Sequence, residues 1–201
     1  MRFLIFLILA LSGIRAEAQR YSFEYWHDGK AVLETGDTLT SKIKYDLSKD
    51  LIQISVNRKI QTYSARKILF FEIFDTTEKR YRQFYSMPFT TSTEYKSPIF
   101  FELLVEGKMT VLCRETLEYR TMPNSFNTFG NTQRLVLVNH YFLLQENGDV
   151  VDVKDTKSIW LELMGNKSEE VHKYAKENKL DFEKKYELAR IVGYYNSLFK
   201  K

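Results

Sequence analysis

Residues 135–154 read LVLVNHYFLLQENGDVVDVK, and this stretch decides the fold class. Its first run, 135–145, is rich in Leu, Val, Tyr and Phe, which suit a pleated and half-buried strand. Asn147-Gly148 then favours a two-residue hairpin turn, because both positions tolerate a positive φ angle. A second apolar run, Val150–Lys154, follows the turn. Strands linked by so tight a turn must be antiparallel, so the stretch predicts a β-hairpin.

The same kind of pattern extends over the first three-quarters of the chain. Leu39, Ser41, Ile43 and Tyr45 alternate with polar residues and predict one face of a strand. The further strand-like runs are Ile52–Val56, Ile60–Ser64, Lys67–Phe74, Arg80–Ser86, Ile99–Glu106 and Met109–Glu115. We therefore predict a mainly β (α+β) domain, an antiparallel barrel or sandwich of about eight to ten strands over residues 21–154. The segments 26–29 and 122–132 are interpreted as a turn and an exposed loop.

Near residue 155 the periodicity changes to that of helices. Asp155-Thr156 predicts a cap for a short helix that ends at Gly165, and 166–169 resembles the capping box of a second helix. Asp181 predicts the start of a third helix. Its apolar residues follow helical spacing: Leu188, Ile191, Val192, Tyr195 and Leu198. We expect this C-terminal helical part, about residues 155–201, to pack on the sheet.

The N-terminus has the three parts of a secretory signal peptide. Arg2 precedes an unbroken apolar run, Phe3–Leu11, and Ala16-Glu17-Ala18 forms a cleavage site. The run is shorter than the roughly 20 residues of a membrane-spanning helix, and no later segment is apolar enough to span a membrane. We predict cleavage of residues 1–18 and one domain, 19–201, exported to the periplasm, the outer surface or the medium.

Charge and cysteine content exclude several classes of protein. The chain has 30 basic and 26 acidic residues. Loss of Arg2, Arg15 and Glu17 with the signal peptide leaves 28 basic and 25 acidic residues, a net charge of +3. This charge is too small to indicate nucleic acid or an anionic membrane as partner. Cys113 is the single cysteine, so no internal disulfide forms, and its phase with Met109 and Val111 predicts a buried, unreactive thiol.

Several short motifs carry a resemblance. They are Gly36-Asp37-Thr38-Leu39, Ile43-Lys44-Tyr45-Asp46, Lys176-Glu177-Asn178-Lys179-Leu180 and Tyr194-Tyr195-Asn196. Together they resemble uncharacterised exported proteins that are common in Bacteroidota and have no known activity. The resemblance spans most of the mature chain and implies a cell-envelope or secreted location, but no functional residues.

Two carboxylates are the candidates for catalysis. Glu72 follows Phe70-Phe71, and Glu102 follows Phe100-Phe101. A carboxyl held against aromatic rings acquires a raised pKa, which suits a general acid, and two such groups can hydrolyse a glycosidic bond. The simpler interpretation places both on a wet face of the sheet. We expect Glu72 and Glu102 to be exposed, with ordinary pKa values and without convergence.

His140 is the candidate for ligand binding, since it shares a strand face with Val136, Val138, Phe142 and Leu144. A buried histidine satisfied by its neighbours is the simpler interpretation. The three histidines, with His27 and His172, lack metal-ligand spacing, and no phosphate loop or serine nucleophile motif occurs. Arg80 and Arg82 alternate with Tyr81 and Tyr85, as in an ordinary strand. The sequence therefore predicts neither a cofactor nor a metal.

These observations lead to one functional hypothesis and two alternatives. We expect an exported cell-envelope or secreted protein that is a non-enzymatic binding or structural module, with another envelope protein or a small apolar or sugar ligand as partner. The first alternative is a lipocalin-like carrier of an apolar ligand. The second is a carbohydrate-active hydrolase that uses Glu72 and Glu102.

Overall fold

The computed structural model describes residues 21–90, 95–122, 132–154 and 156–199. The predicted signal peptide and most of the predicted loop at 122–132 lie outside these residues. The strands are β1 (His27–Leu33), β2 (Thr38–Asp46), β3 (Leu51–Val56), β4 (Lys59–Ser64), β5 (Ile68–Asp75), β6 (Arg80–Phe89), β7 (Ser97–Val105), β8 (Thr110–Met122), β9 (Thr132–Leu144) and β10 (Val150–Val153). The helices are α1 (Lys157–Leu163), α2 (Ser168–Glu177) and α3 (Lys185–Ser197).

All ten strands of the described chain form one antiparallel sheet, in the order β10-β9-β8-β7-β6-β5-β1-β2-β3-β4. The prediction of a mainly β domain with C-terminal helices is confirmed. The two edge strands do not pair with each other, so the alternative of a closed barrel is wrong. The physical reason is that helices, rather than an opposite wall of strands, cover the apolar face of β8 and β9.

The strand β1 was missed, because Trp26-His27-Asp28-Gly29 has the composition of a turn. In the structure β1 lies between β5 and β2. A Cβ atom at Gly29 would stand 2.3 Å from the carbonyl oxygen of Glu72, so the missing side chain allows β5 to approach closely. Glycine inside a strand often marks such a close approach of two backbones. Here it allows β1 to pair with β5 on one side and β2 on the other, and so to connect the two halves of the sheet.

The sheet folds over on itself, as in a sandwich, so that the turn between β2 and β3 reaches β7 and β8. The Asp50 carboxylate accepts hydrogen bonds from the Phe100 backbone N–H and from Arg114 Nη1, both at 2.8 Å. Arg114 Nη2 also donates to the Leu47 carbonyl at 2.6 Å. These charge-assisted hydrogen bonds hold the β2–β3 turn against β7 and β8. In the core between these strands, the Phe71 ring packs on Phe84 and Phe100, with ring centroids 4.6 and 5.1 Å apart.

Residues 156–199 form a helical cap over β8 and β9. Thr156 accepts the Ile159 backbone N–H and caps α1, as predicted. The buried residues of the cap and of the sheet form one apolar cluster, which includes Trp160, Val171, Leu188, Ile191, Val192, Val111, Cys113 and Tyr141. At the end of α3 the Asn196 side chain accepts from the Met109 N–H and donates to the Met109 carbonyl, at 2.8 and 2.9 Å. The cap is therefore joined to the sheet by apolar packing and by direct hydrogen bonds.

Candidate functional site

The two candidate acids, Glu72 and Glu102, lie on opposite faces of the sheet. Phe71 pairs with Phe84, and Phe84 pairs with Glu102, so these three side chains share the inner face. Glu72 follows Phe71 directly and therefore points to the outer face. There it pairs with Lys30 at 3.3 Å, and a hydrogen bond from the Gln83 amide lowers the pKa of its carboxyl. Glu72 and Glu102 therefore do not converge in one cleft, as we expected.

The expectation that both carboxylates are exposed with ordinary pKa values is wrong, because the Glu72 side chain is 19% exposed with a lowered pKa and that of Glu102 is only 3% exposed. Burial alone would raise the pKa of the Glu102 carboxyl, but the positive charges of Arg82 and Lys185 hold this pKa below its ordinary value. The pKa is therefore neither ordinary nor raised in the way the aromatic neighbours suggested. A carboxyl with a lowered pKa is ionised near neutral pH and is a poor general acid.

Arg82 lies at the centre of this buried site, with its side chain 1% exposed. Its Nε and Nη2 donate to the two oxygens of Glu102 at 2.9 and 2.7 Å, which is the bidentate geometry of a strong pair. Nη2 also donates to Glu115, and Nη1 donates to Asp75 and to the Tyr45 hydroxyl. All five N–H donors of the guanidinium thus have acceptors, as burial of the charge requires.

Lys185, at the start of α3, connects the helical cap to the same site. Its ammonium donates to Glu102 at 3.0 Å and to Glu115 at 2.5 Å. Burial alone would lower the pKa of Lys185, but the Glu102 carboxylate raises it well above its ordinary value, so the amine stays charged. We name the five residues Asp75, Arg82, Glu102, Glu115 and Lys185 the ionic cluster. It joins β5, β6, β7 and β8 to the cap.

The ionic cluster contains one more acid than base, since Asp75, Glu102 and Glu115 face Arg82 and Lys185. The surplus is visible at Glu115. Its Oε1 accepts from both bases, whereas its buried Oε2 has no hydrogen-bond partner among the described residues. An unsatisfied buried oxygen costs about 1–3 kcal/mol, and more if it is charged. Glu115 is therefore the member of the cluster whose hydrogen bonding is incomplete.

A pocket of about 250 Å³ opens beside Glu115, between β8, the end of β2 and the N-terminal 3-10 turn at Ser22–Glu24. Its walls include Phe23, Asp46, Leu47, Ser48, Glu115 and Leu117. Three of these side chains are apolar and two are acidic. The Asp46 carboxylate is already bonded within its own turn, to Ser48 and Lys49. The other acidic residue of the wall is Glu115, whose Oε1 is taken by Arg82 and Lys185 and whose unpartnered Oε2 is buried.

The structure corrects the two histidine interpretations. His140 is 42% exposed rather than buried, because it lies on the outer face of the β8–β9 hairpin. Its Nε2 lies 2.9 Å from both Thr116 Oγ1 and Glu118 Oε1, and its role as a ligand-binding residue stays a prediction. His27 is not in a turn. It begins β1 and is buried with Nε2 at 2.8 Å from the Ser22 carbonyl oxygen.

The prediction that Cys113 is a buried thiol is confirmed. Its side chain is inaccessible to solvent and packs among residues of the helical cap, and burial raises the pKa of the thiol well above its ordinary value. A thiol in this state is a poor nucleophile, so Cys113 belongs to the core rather than to a reactive site.

Sequence reasoning missed Arg82, Glu115 and Lys185, although a signal was present for each. Arg82 is in phase with Phe84, Glu115 is in phase with Cys113, and Lys185 precedes Leu188 by three residues, on the apolar stripe of α3. A charge on an inward face needs an opposite charge there, so the three together predict a buried ionic site. The alternation pattern of each strand does not reveal the order of the strands in the sheet. That order decides whether Arg82, Glu115 and Lys185 meet.

No group of three or more potential ligand side chains that could hold a metal ion occurs among the residues the structure describes. Within the same part of the chain, no helix has the length and apolar character needed to cross a membrane. Comparisons with protein-family models, curated proteins and solved structures found no match to this chain. The chemistry of the site is therefore the basis for the functional proposal.

Proposed function

We propose that this chain is an exported module of the cell envelope or the medium that acts by binding or as a structural part, and not by catalysis. The export step rests on the apolar run Phe3–Leu11 and the Ala16-Glu17-Ala18 cleavage pattern. The single observation that carries the non-catalytic role is the state of Glu102. This carboxylate is buried and paired with Arg82 and Lys185, so it is not free to transfer a proton to a substrate.

The arrangement of the interior supports the same proposal over a carrier or a hydrolase. The space enclosed by the folded-over sheet is occupied by aromatic rings in contact with one another, among them Tyr45, Phe71, Phe84 and Phe100. An apolar ligand of the size that lipocalins carry has no room between these rings. A glycosidase needs its two carboxyl groups about 5–9.5 Å apart across one groove, whereas Glu72 and Glu102 are separated by the sheet itself.

The export step is tested on protein isolated from its native host. We expect the N-terminus of the mature chain to be Gln19, because Ala18 ends the cleavage pattern. N-terminal sequencing or intact mass, together with cell fractionation, measures it. A cytoplasmic protein that retains Met1 would contradict the proposal.

The non-catalytic role is tested by the stability of Glu102→Gln. If the ionic cluster serves the fold, the free energy of unfolding should fall by about 3 kcal/mol, because one of the two buried oxygens that accept from Arg82 and Lys185 is replaced by an N–H₂ donor. The matched control is Glu72→Gln, the same change in the other Phe-Phe-Glu motif, which should stay within about 1 kcal/mol. Urea denaturation of the three proteins provides the values. A gain of stability in Glu102→Gln would instead indicate a functional site that is retained at the cost of stability, as in enzymes.

A further inference from the structure

We propose that the cleft between α1, α2 and the loop that leads to α3 binds the phosphate group of a phosphate monoester, and this inference rests on the proposed binding role. The cleft has a volume of about 600 Å³, and its walls carry five basic side chains, those of Lys157, His172, Lys176, Lys179 and Lys184. Three features point to this ligand. They are the placement of the basic side chains, the ion pairs that the lysines form and the number of donors that face the cleft.

The helices bring the basic side chains to one place. His172 and Lys176 are one turn apart on α2 and therefore lie on the same face of this helix. Lys157 begins α1, and its ammonium stands 2.9 Å from His172 Nε2. A lysine ammonium only donates, so Nε2 accepts and the ring N–H is on Nδ1. His172 is therefore a neutral side chain that keeps one donor of its own.

Three of these lysines have no acidic partner in the described part of the chain. The other surface lysines of α2 and its neighbours form the ion pairs Lys167–Glu170, Lys173–Glu177 and Lys184–Glu187. Among the described residues, no carboxylate lies within 4.0 Å of the ammonium groups of Lys157, Lys176 or Lys179. Three unpaired positive charges therefore line one cleft, beside a histidine that also donates.

Two acids share the walls without cancelling these charges. Asp181 Oδ1 accepts the Glu183 backbone N–H at 3.0 Å and so serves the loop. Neither the Asp181 nor the Glu183 carboxylate forms an ion pair with a lysine among the residues that the structure describes. Four lysines against two acids leave the walls with a surplus of positive charge, which favours an anion as the ligand.

The number of separate donors distinguishes between anions. A phosphate monoester carries about −1.5 to −2 charges at neutral pH and offers three strong acceptor oxygens, so several ammonium groups can bind it at once. A carboxylate offers two oxygens and a single charge. A volume of about 600 Å³ lies within the roughly 300–1,000 Å³ of small-molecule sites, so the cleft also has room for the organic part of the ester.

The probe is glycerol 3-phosphate, with glycerate and glycerol as three-carbon ligands that carry a carboxylate or no charge. Titration calorimetry of the purified protein at constant ionic strength measures the dissociation constants. We expect glycerol 3-phosphate to bind at least about fivefold more tightly than glycerate, because the additional contacts are made by exposed charges that water screens. Glycerol should bind most weakly. Equal binding of glycerate, or no saturable binding of glycerol 3-phosphate, would overturn the inference.

Two matched variants on α2 locate the site. Lys176→Gln removes one ammonium from the wall and should weaken glycerol 3-phosphate binding about threefold to fivefold. Lys173→Gln is the control, because Lys173 is exposed on the same helix, lies 4.0 Å from Glu177 and is not part of the walls. Both variants remove one positive charge from the same helix, and the control should leave binding unchanged. Equal effects of the two would place the phosphate elsewhere on the surface and refute the site.

The triple variant Lys157→Gln, Lys176→Gln, Lys179→Gln should abolish the preference for glycerol 3-phosphate over glycerate. These three side chains are exposed and form no ion pair among the described residues, so urea denaturation should give the free energy of unfolding of the native chain within about 1 kcal/mol. A folded triple variant that keeps the preference would refute the role of these lysines.

Phosphatidylcholine vesicles with and without phosphatidic acid distinguish the source of the phosphate, because phosphatidic acid presents the same phosphate group at a membrane surface. Cosedimentation with the phosphatidic acid vesicles alone, weakened in Lys176→Gln but not in Lys173→Gln, identifies a lipid headgroup. Binding of glycerol 3-phosphate without cosedimentation identifies a soluble phosphate ester. Failure of every phosphate, with Gln19 as N-terminus and a destabilised Glu102→Gln, would refute the ligand and leave the proposed function standing.

Discussion

Strands β5 and β7 carry the same tripeptide, Phe-Phe-Glu, at residues 70–72 and 100–102, and the two glutamates have opposite environments. Glu72 lies on the outer face beside Lys30, whereas Glu102 is buried on the inner face between Arg82 and Lys185. The pairing explains the difference. Phe84 of β6 stands opposite Phe71 on one side and Glu102 on the other, so the two tripeptides enter the sheet one residue out of phase. A shift of one residue exchanges the faces of a strand.

The two strands also differ in what covers them. The outer face of β7 is covered as well, because Phe101 packs on Phe89 and Phe142 with ring centroids 5.6 and 5.0 Å apart. On β5 the corresponding outer face is only partly covered, because Phe70, Glu72 and Phe74 are all half-buried there. The comparison shows that a local motif does not define the environment of its carboxylate. Register and tertiary cover define it.

The largest expected effect comes from removing the base that Glu102 depends on. Arg82→Met should lower the free energy of unfolding by about 3–5 kcal/mol, because it leaves three buried acids with Lys185 as the one remaining base of the cluster, and Lys185 does not contact Asp75. The control is Arg80→Met. Arg80 is exposed and lies 3.5 Å over the Tyr186 ring, so its loss should cost about 1 kcal/mol or less. Chemical denaturation measures both, and similar values for the two variants would contradict the central role of Arg82.

A slightly smaller effect should follow from disturbing the cover over β7 and β8. Ile191 is fully buried on α3, so Ile191→Asp places an unpaired charge in the core and should cost about 3 kcal/mol. Arg190→Asp is the control, an exposed position one residue earlier on the same helix, and should stay within about 1 kcal/mol. If Ile191→Asp costs less than about 0.5 kcal/mol, the helical cap is not what buries Glu102.

These two predictions also mark what the sequence could and could not reveal. The hairpin at Asn147-Gly148, the strand face of Ile43 and Tyr45 and the buried Cys113 follow from period and turn chemistry, which are local. Strand β1 was missed because Asp28 and Gly29 look like a turn until β5 is placed beside them. The ionic cluster was missed for a related reason. Its members are separated by up to 110 residues, from Asp75 to Lys185, and meet only through the sheet order.

The pH dependence of stability offers a third test. Burial alone would raise the pKa values of Asp75 and Glu102. At Asp75, hydrogen bonds from Ser22, Thr77 and Arg82 hold the pKa below its ordinary range. At Glu102, the positive charges of Arg82 and Lys185 have the same effect on the pKa. Such groups contribute stability above the unfolded-state pKa of about 4, and the contribution is lost as the pH falls through the folded-state value.

The free energy of unfolding should therefore decrease as the pH falls from about 5 to about 3. Urea denaturation at a series of pH values measures this slope. Glu102→Gln should have a shallower slope than the native chain, because it lacks one of the titrating groups, while Glu72→Gln should keep most of the slope. Identical slopes in the native chain and Glu102→Gln would show that Glu102 does not gain its stability from ionisation.

The smallest expected effect concerns Glu72, the half-buried member of the comparison on the outer face. Lys30 and Glu72 are 3.3 Å apart, with side chains 45% and 19% exposed, so solvent screens their attraction. A double-mutant cycle of Lys30→Met, Glu72→Gln and both together should give a coupling of about 0.5 kcal/mol. Gln83 keeps its own contact with Glu72 in the Lys30 variant, which isolates the ion pair. A coupling above about 2 kcal/mol would mean that the outer face of β5 is shielded from water. That face would then be a covered surface, like the outer face of β7, and not a solvent-exposed one.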